Sequence, residues 1–238
     1  PVIRWERSSL AELGAEFARW EIATVAASQV LGVDPFDEPN VSEAKQATAT
    51  VLDGFLGTGT LAAPAVVATA GDVSAAAPAE VLAALAAHGV AVSDPFAIAA
   101  GLATLVGSGD YVAILAYLAR TDPRHAALER LRHALRDRTR AATTLGYGPR
   151  FLHSTGQLHK GGPSTGVFLQ LASLEPALEI PGERYGFREL QIAQAAGDYQ
   201  VLERRGRRVV RLNLGSDPDG ALEMLVRAVS AGSAGVAR

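Results

Sequence analysis

The apolar run of this sequence most typical of a buried strand is Tyr111-Val112-Ala113-Ile114-Leu115-Ala116-Tyr117-Leu118, which directly follows the turn residues 107–110. A short, uninterrupted run of this kind is characteristic of strands that are covered on both faces. A helix is predicted from Pro123 to Arg136, because proline is favoured in the first helical turn. This strand and helix are therefore expected to form one unit of a layered α/β fold.

The same alternation continues on the carboxyl side of this unit. Further strands are predicted at residues 141–145, 166–171 and 208–214, and further helices at residues 185–203 and from residue 217 onward. Strands that alternate with helices of ten or more residues indicate a largely parallel sheet. We therefore predict an α/β fold with a parallel-rich sheet flanked by helices.

On the amino side, a strand–helix–helix segment is predicted. A short strand at residues 1–4 precedes a capping box formed by Ser9 and Glu12. Apolar residues at spacings of three and four then predict a buried stripe on a helix that ends at Gly32; they are Leu13, Phe17, Trp20, Thr24, Ala27 and Leu31. Asn40 and Glu43 repeat the capping pattern and predict a second helix, which carries Lys45.

Residues 54–94 are dominated by Ala, Gly and Pro, with one clear helical pattern at residues 80–88. This composition favours a partly helical connector between the two regions.

The overall composition excludes several classes of protein. The 238 residues include 22 basic and 25 acidic side chains, and a broad nucleic-acid surface normally requires a basic excess. The basic run at residues 204–208 ends a predicted helix, where cations are favoured. The absence of cysteine excludes disulfides, thiol nucleophiles and thiolate metal sites, and it suits a reducing cytoplasm. The longest apolar stretch is too short to cross a bilayer, so we expect neither nucleic acid nor membrane as a partner.

Only two of the 22 basic residues are lysines, Lys45 and Lys160. Because arginine supplies almost all of the positive charge of this chain, a lysine is expected where a side chain must release a proton, which guanidinium does not do. The alternative is that both lysines are remnants of an arginine-biased composition.

The glycine-rich segment at residues 146–166 lies between two predicted strands and concentrates polar side chains. Loops at strand ends commonly bind ligands in α/β proteins, and free amides with hydroxyls and cations suit an anion. The candidate residues are Arg150, His153, Ser154, Thr155, His159 and Lys160. The alternative is a structural loop whose histidines are packed.

Two segments resemble the phosphoglucose isomerase family. Residues 36–45 are similar to its second signature, with Phe36, Asp37, Val41 and Lys45 matching and with Glu38, Asn40 and Ser42 replacing the usual Gln, Gly and Glu. Residues 148–163 resemble the carboxyl part of bifunctional transaldolase/phosphoglucose isomerases.

The resemblance implies aldose–ketose isomerisation of glucose 6-phosphate and fructose 6-phosphate on a sugar-isomerase fold, without metal or cofactor. In this family a carboxylate moves a proton between C1 and C2 through an enediol. Lys45 matches the lysine that assists ring opening, and either His159 or His153 matches the ring-opening histidine. With the anion-binding residues of the glycine-rich segment, the predicted substrate-binding positions are Glu38, Arg150, Ser154, Thr155, Gln157 and Lys160.

The resemblance also implies a domain organisation. Residues 1–56 would end a sugar-isomerase domain, residues 57–106 would form the connector, and residues 107–238 would form a carboxyl-terminal α/β domain. Because the family's catalytic Glu segment is not found, we expect a fragment of a longer polypeptide, inactive alone, whose partners are a sugar phosphate, the missing isomerase and transaldolase segments, and a second copy in a homo-oligomer. The alternative is a non-catalytic α/β module for protein interaction or sugar-phosphate binding.

Overall fold

The structure is a computed structural model that describes residues 4, 6, 9–37, 39–149, 154–174 and 176–231. The chain divides into two units, residues 1–38 and residues 39–238. Of the strand predicted at residues 1–4, the first three residues lie outside the described part.

The first unit contains one helix, α1 (Leu10–Leu31). It begins as predicted, since the Ser9 side chain accepts a hydrogen bond from the Glu12 backbone N–H at 3.3 Å. It ends at Gly32, whose φ of 68° is a left-handed conformation that favours glycine. The predicted burial of its apolar stripe is wrong, because Phe17 and Trp20 are 63% and 65% exposed. Among the described residues of this unit, no second helix or strand is present to cover that stripe.

The second unit is built on one six-stranded sheet. Its strands are β1 (Ala68–Ala70), β2 (Val73–Ala76), β3 (Tyr111–Tyr117), β4 (Ala142–Tyr147), β5 (Gly166–Ala172) and β6 (Arg208–Asn213), and their order is β1-β2-β6-β5-β3-β4. The four strands from β3 to β6 are mutually parallel, whereas β2 runs antiparallel to both β1 and β6. The predicted α/β class with a parallel-rich sheet is therefore confirmed.

Helices cover both faces of this sheet. They are α2 (Pro39–Thr58), α3 (Ala79–Ala87), α4 (Pro95–Gly101), α5 (Asp122–Thr139), α6 (Ser154–Gly161), α7 (Phe187–Arg204) and α8 (Pro218–Ala231), and a 3-10 helix follows α4 at Leu102–Leu105. One face of the sheet packs against α3, α4, α5 and α8, and the other packs against α2, α6 and α7. The residues of β3 are almost all buried, as expected for a strand between two helical layers.

The predicted connector at residues 57–106 is not a connector in the structure. Its strands β1 and β2 belong to the sheet, and β2 pairs directly with β6. Its helix α4 is mostly buried in the core that also contains α5 and α8. The two strands escaped prediction because they are only three and four residues long and rich in alanine, which has a low β-propensity. The structural boundary accordingly falls at residues 38 and 39 and not at residue 56.

Candidate functional site

The two segments that resemble sugar isomerases meet in the structure. Asn40, in the first turn of α2, is 4% exposed, and its backbone N–H donates to Gln157 Oε1 on α6 at 3.1 Å. The side-chain amides of the two residues also approach to 2.8 Å. The adjacent Gly161 allows this close approach, since a Cβ atom there would collide with the Asn40 side chain. The fold thus joins positions that are 117 residues apart in sequence.

Lys45 lies on α2 beyond this contact, and its side chain is exposed. It lies five positions after Asn40, which corresponds to about 7.5 Å along the helix axis. The predicted capping role of Glu43 is not observed. Its carboxylate instead accepts hydrogen bonds from Arg205 at 2.7 and 3.0 Å, and the Arg205 guanidinium helps to lower the pKa of this carboxyl against the opposing effect of burial.

The glycine-rich segment is not a continuous loop. Residues 154–161 form α6, whose packing against α2 and α7 stabilises a helix in a stretch with weak helix-forming composition. Among the predicted residues, Thr155 is exposed and Gln157 is half-buried, while Ser154 supplies the first residue of the helix. Glu38, Arg150 and His153 lie outside the described residues.

His159 is held against the sheet by aromatic neighbours. It is 4% exposed, its Nδ1 lies 2.9 Å from the Tyr111 hydroxyl, and its ring meets the edge of Phe168 at a centroid distance of 5.1 Å. Burial, with a smaller contribution from the Lys160 ammonium, lowers the pKa of His159 to about 4. The imidazole is therefore neutral at pH 7. Together with Thr155 it lines a cavity of about 330 Å³ beside β4.

Lys160 does not lie on an open anion-binding surface, contrary to the prediction. Its Nζ forms an ion pair with Asp198 Oδ1 at 2.5 Å, and both side chains are 1% exposed. Among the described residues, neither Lys160 Nζ nor Asp198 Oδ2 has another hydrogen-bond partner. The reason is that α6 turns this residue toward α7 and the sheet. The rarity of lysine thus coincides, at Lys160, with a buried charge.

Sequence reasoning missed the polar residues that surround this ion pair. Gln170 on β5 accepts from Arg211 Nη1 on β6 at 3.2 Å, and its own Nε2 donates to the Ala195 carbonyl on α7 at 3.0 Å. Burial raises the pKa of Asp198, which the Lys160 ammonium opposes. Gln170 is the single polar residue of the apolar strand β5, which is the signal that could have revealed it. Arg211 carries no such signal, since it shares β6 with Arg208 and Asn213.

Four arginines of the basic run at residues 204–208 form ion pairs or hydrogen bonds with other parts of the chain. Arg204 and Arg205 pair with Glu43, and Arg208 pairs with Asp110 at 2.7 Å. Arg207 Nη2 donates to the carbonyls of Lys160 and Gly162, both at 2.6 Å. These contacts tie the basic run to α2, to the end of α6 and to the segment before β3.

Neither a membrane span nor a metal cluster is found in the part of the chain that the structure describes. None of its helices combines the length and the apolar composition needed to cross a membrane. No group of three or more His, Asp or Glu side chains there is arranged to hold a metal ion.

No protein-family model and no curated protein matches this chain. Among solved structures, the chain is similar to the hypothetical protein TT0462 from Thermus thermophilus, with 21% sequence identity and a TM-score of 0.48. The similarity covers 65% of this chain and 42% of that protein, so this chain spans less than half of its length. Membership of the sugar-isomerase family therefore stays a prediction from the two motifs.

Proposed function

We propose that this chain is part of a cytoplasmic glucose-6-phosphate isomerase, fused in a longer polypeptide to the segments that complete its active site. The observation that carries the proposal is the contact between Asn40 and Gln157, since it joins the two segments that resemble the family. A chance resemblance of two distant segments would not require them to be neighbours in the fold.

In this proposal Lys45 assists ring opening and stabilises the negative charge that develops on the enediol. Lys45 is an exposed residue on a helix, so a substrate bound by other parts of the polypeptide is able to approach it. Of the two candidate histidines, His159 is the one that the structure describes. Its imidazole is neutral at pH 7 and keeps a lone pair for general-base catalysis, but the pKa of about 4 makes it a weak base. His153 stays the alternative.

Arg150, Ser154, Thr155 and Gln157 would surround the sugar phosphate. The buried Lys160 would not contact the substrate and would instead stabilise the position of α6.

The isolated 238-residue chain is expected to show no turnover of fructose 6-phosphate, because the carboxylate that moves the proton between C1 and C2 would come from the missing segments. A coupled assay that follows glucose 6-phosphate formation measures this directly. Robust turnover that is lost on Lys45→Ala would contradict the fragment proposal, because the chain would then hold a complete active site.

In the longer polypeptide, Lys45→Ala is expected to lower kcat by roughly 10²-fold to 10⁴-fold, the usual contribution of a positioned acid–base group. Lys45→Arg should be nearly as damaging, since guanidinium keeps the charge but does not release a proton. The matched control is Gln46→Ala, a change at the next exposed position of α2. Wild-type rates in both Lys45 variants would show that this lysine is only a surface charge and would favour the non-catalytic module.

A further inference from the structure

A second cavity lies at the carboxyl ends of the central parallel strands, away from Lys45 and His159. It has a volume of about 220 Å³, and its floor includes Tyr117, Ala172 and Asn213. These three residues are direct neighbours across β3, β5 and β6, because Tyr117 pairs with Ala172 and Ala172 pairs with Asn213. The cavity therefore opens at one end of the sheet and does not share the lining of the cavity beside His159.

The strand order places this cavity where the winding of the sheet reverses. The connection that leaves β3 leads to β4, at one edge of the sheet. The chain then returns past β3 to β5, and the connection that leaves β5 leads to β6, which lies on the side away from β4. The connections that leave β3 and β5 consequently diverge and open a crevice between the two strand ends. Ligands of open α/β sheets bind in crevices of this kind.

One cation, Arg211, lines the cavity, and its residue is only 8% exposed. The single hydrogen bond that the described residues give its guanidinium runs from Nη1 to Gln170. The carboxylate of Asp198, which acts electrostatically on Arg211, is already paired with Lys160. Two cations thus share one buried anion, so the cluster carries an excess positive charge at the cavity wall.

Burying a guanidinium without a matching anion costs free energy, and this cost is visible in its titration. Burial lowers the pKa of Arg211 to about 10. The nearby Tyr117, Tyr199 and Asp198 act in the opposite sense and raise this pKa, but by less than burial lowers it. At pH 7 the side chain still carries its full charge. A bound anion would supply the partner that the fold itself leaves out.

We propose that this cavity binds a small organic carboxylate, with the carboxylate on Arg211 and an apolar body against the rest of the lining. The planar fork of guanidinium matches the two oxygens of a carboxylate. A phosphate dianion would need more donors, and Arg211 is the only charged side chain among the described lining residues. The remaining wall is largely apolar and includes Leu61, Leu174 and Ile192, while Gln191 and Asn213 offer amide donors at its rim.

The test uses calorimetric titration of the 238-residue chain at pH 7.5 with acetate, propionate and butyrate. Saturable binding is expected, with affinity rising about fourfold per added methylene as the apolar wall is covered. The neutral analogues acetamide, propionamide and butyramide should bind at least about tenfold more weakly than the corresponding acids, because they lack the charge that Arg211 requires.

Two variants assign the binding to this cavity. Arg211→Met should weaken butyrate binding by about tenfold or more, and Ala63→Phe should weaken it similarly by filling the mouth from an exposed position. The second variant keeps the test valid if the first does not fold. The control is Arg227→Met, which removes an exposed arginine from α8 on the opposite layer and should leave binding unchanged.

Three results would overturn the assignment. They are the absence of saturable carboxylate binding by the wild-type chain, equal binding of the neutral amides, and unweakened binding in Ala63→Phe. Tighter binding of inorganic phosphate than of butyrate would also refute the ligand class. None of these measurements depends on isomerase turnover, so this proposal and the proposed function can fail independently.

Discussion

Asp198→Ala is expected to lower the free energy of unfolding of this chain by about 3–5 kcal/mol, the usual cost of removing one partner of a buried ion pair. The change leaves the Lys160 ammonium in a site where it is 1% exposed and has no other hydrogen-bond partner among the described residues. It also removes the carboxylate that faces Arg211 within the buried cluster. Urea denaturation at pH 7 measures the loss.

The matched control is Glu43→Ala, which breaks the ion pair with Arg205 at the surface. Both of those side chains are more than a quarter exposed, so the expected loss is below about 1 kcal/mol. The double variant Lys160→Met with Asp198→Leu should recover part of the stability, because it removes both charges together. Recovery should be incomplete, since Arg211 keeps its charge. A loss below about 1 kcal/mol in Asp198→Ala would contradict the dry ion pair.

His159 is expected to make the folded chain sensitive to acid. Because burial holds its pKa at about 4, against an ordinary value of 6.5, the unfolded chain takes up a proton first as the pH falls. Stability supplied by the neutral imidazole is therefore complete above pH 6.5 and is lost as the pH falls toward 4. Between pH 7.5 and 4.5 this group alone should remove about 2.5 kcal/mol from the free energy of unfolding.

The measurement compares wild type with His159→Gln, which cannot titrate but can still hydrogen-bond the Tyr111 hydroxyl. The variant should lose about 2.5 kcal/mol less than wild type over that pH range, whatever the carboxylates contribute to both. His88→Gln, at an exposed histidine after α3, is the control and should follow the wild-type curve. Identical pH profiles for wild type and His159→Gln would contradict the buried, neutral imidazole.

The predictable part of this fold is the part with long and uniform patterns. Strand β3 was predictable because eight consecutive apolar residues permit little else, and α1 because both of its ends carry capping residues. Strands β1 and β2 were not predictable, because β2 is defined by its pairing with β6 and β1 by its pairing with β2. Helix α6 was not predictable either, because its glycines and hydroxyl-bearing residues favour a loop, and the helix is stabilised by packing against α2 and α7.

The residues of the candidate site also divide into those that local sequence predicts and those that it does not. The motif residues Lys45 and Gln157 could be named from local sequence, but their relation could not, because it depends on a contact across 117 residues. The partner of Lys160 was equally hidden. Asp198 is the single acidic residue in the stretch 190–202, and it becomes the counter-ion of Lys160 only because α7 packs against α6. The sequence pattern of an element does not specify which residues of other elements it contacts.

The position of β6 has a consequence for how the protein is made. This strand is the last of the six to leave the ribosome, yet it lies in the middle of the sheet, between β2 and β5. Until residues 208–213 emerge, the hairpin of β1 and β2 has no neighbour, and β5 exposes an apolar edge to other nascent chains. The sheet is therefore complete only after all six strands have been synthesised, because a chain that ends before residue 208 lacks the strand that pairs with both β2 and β5.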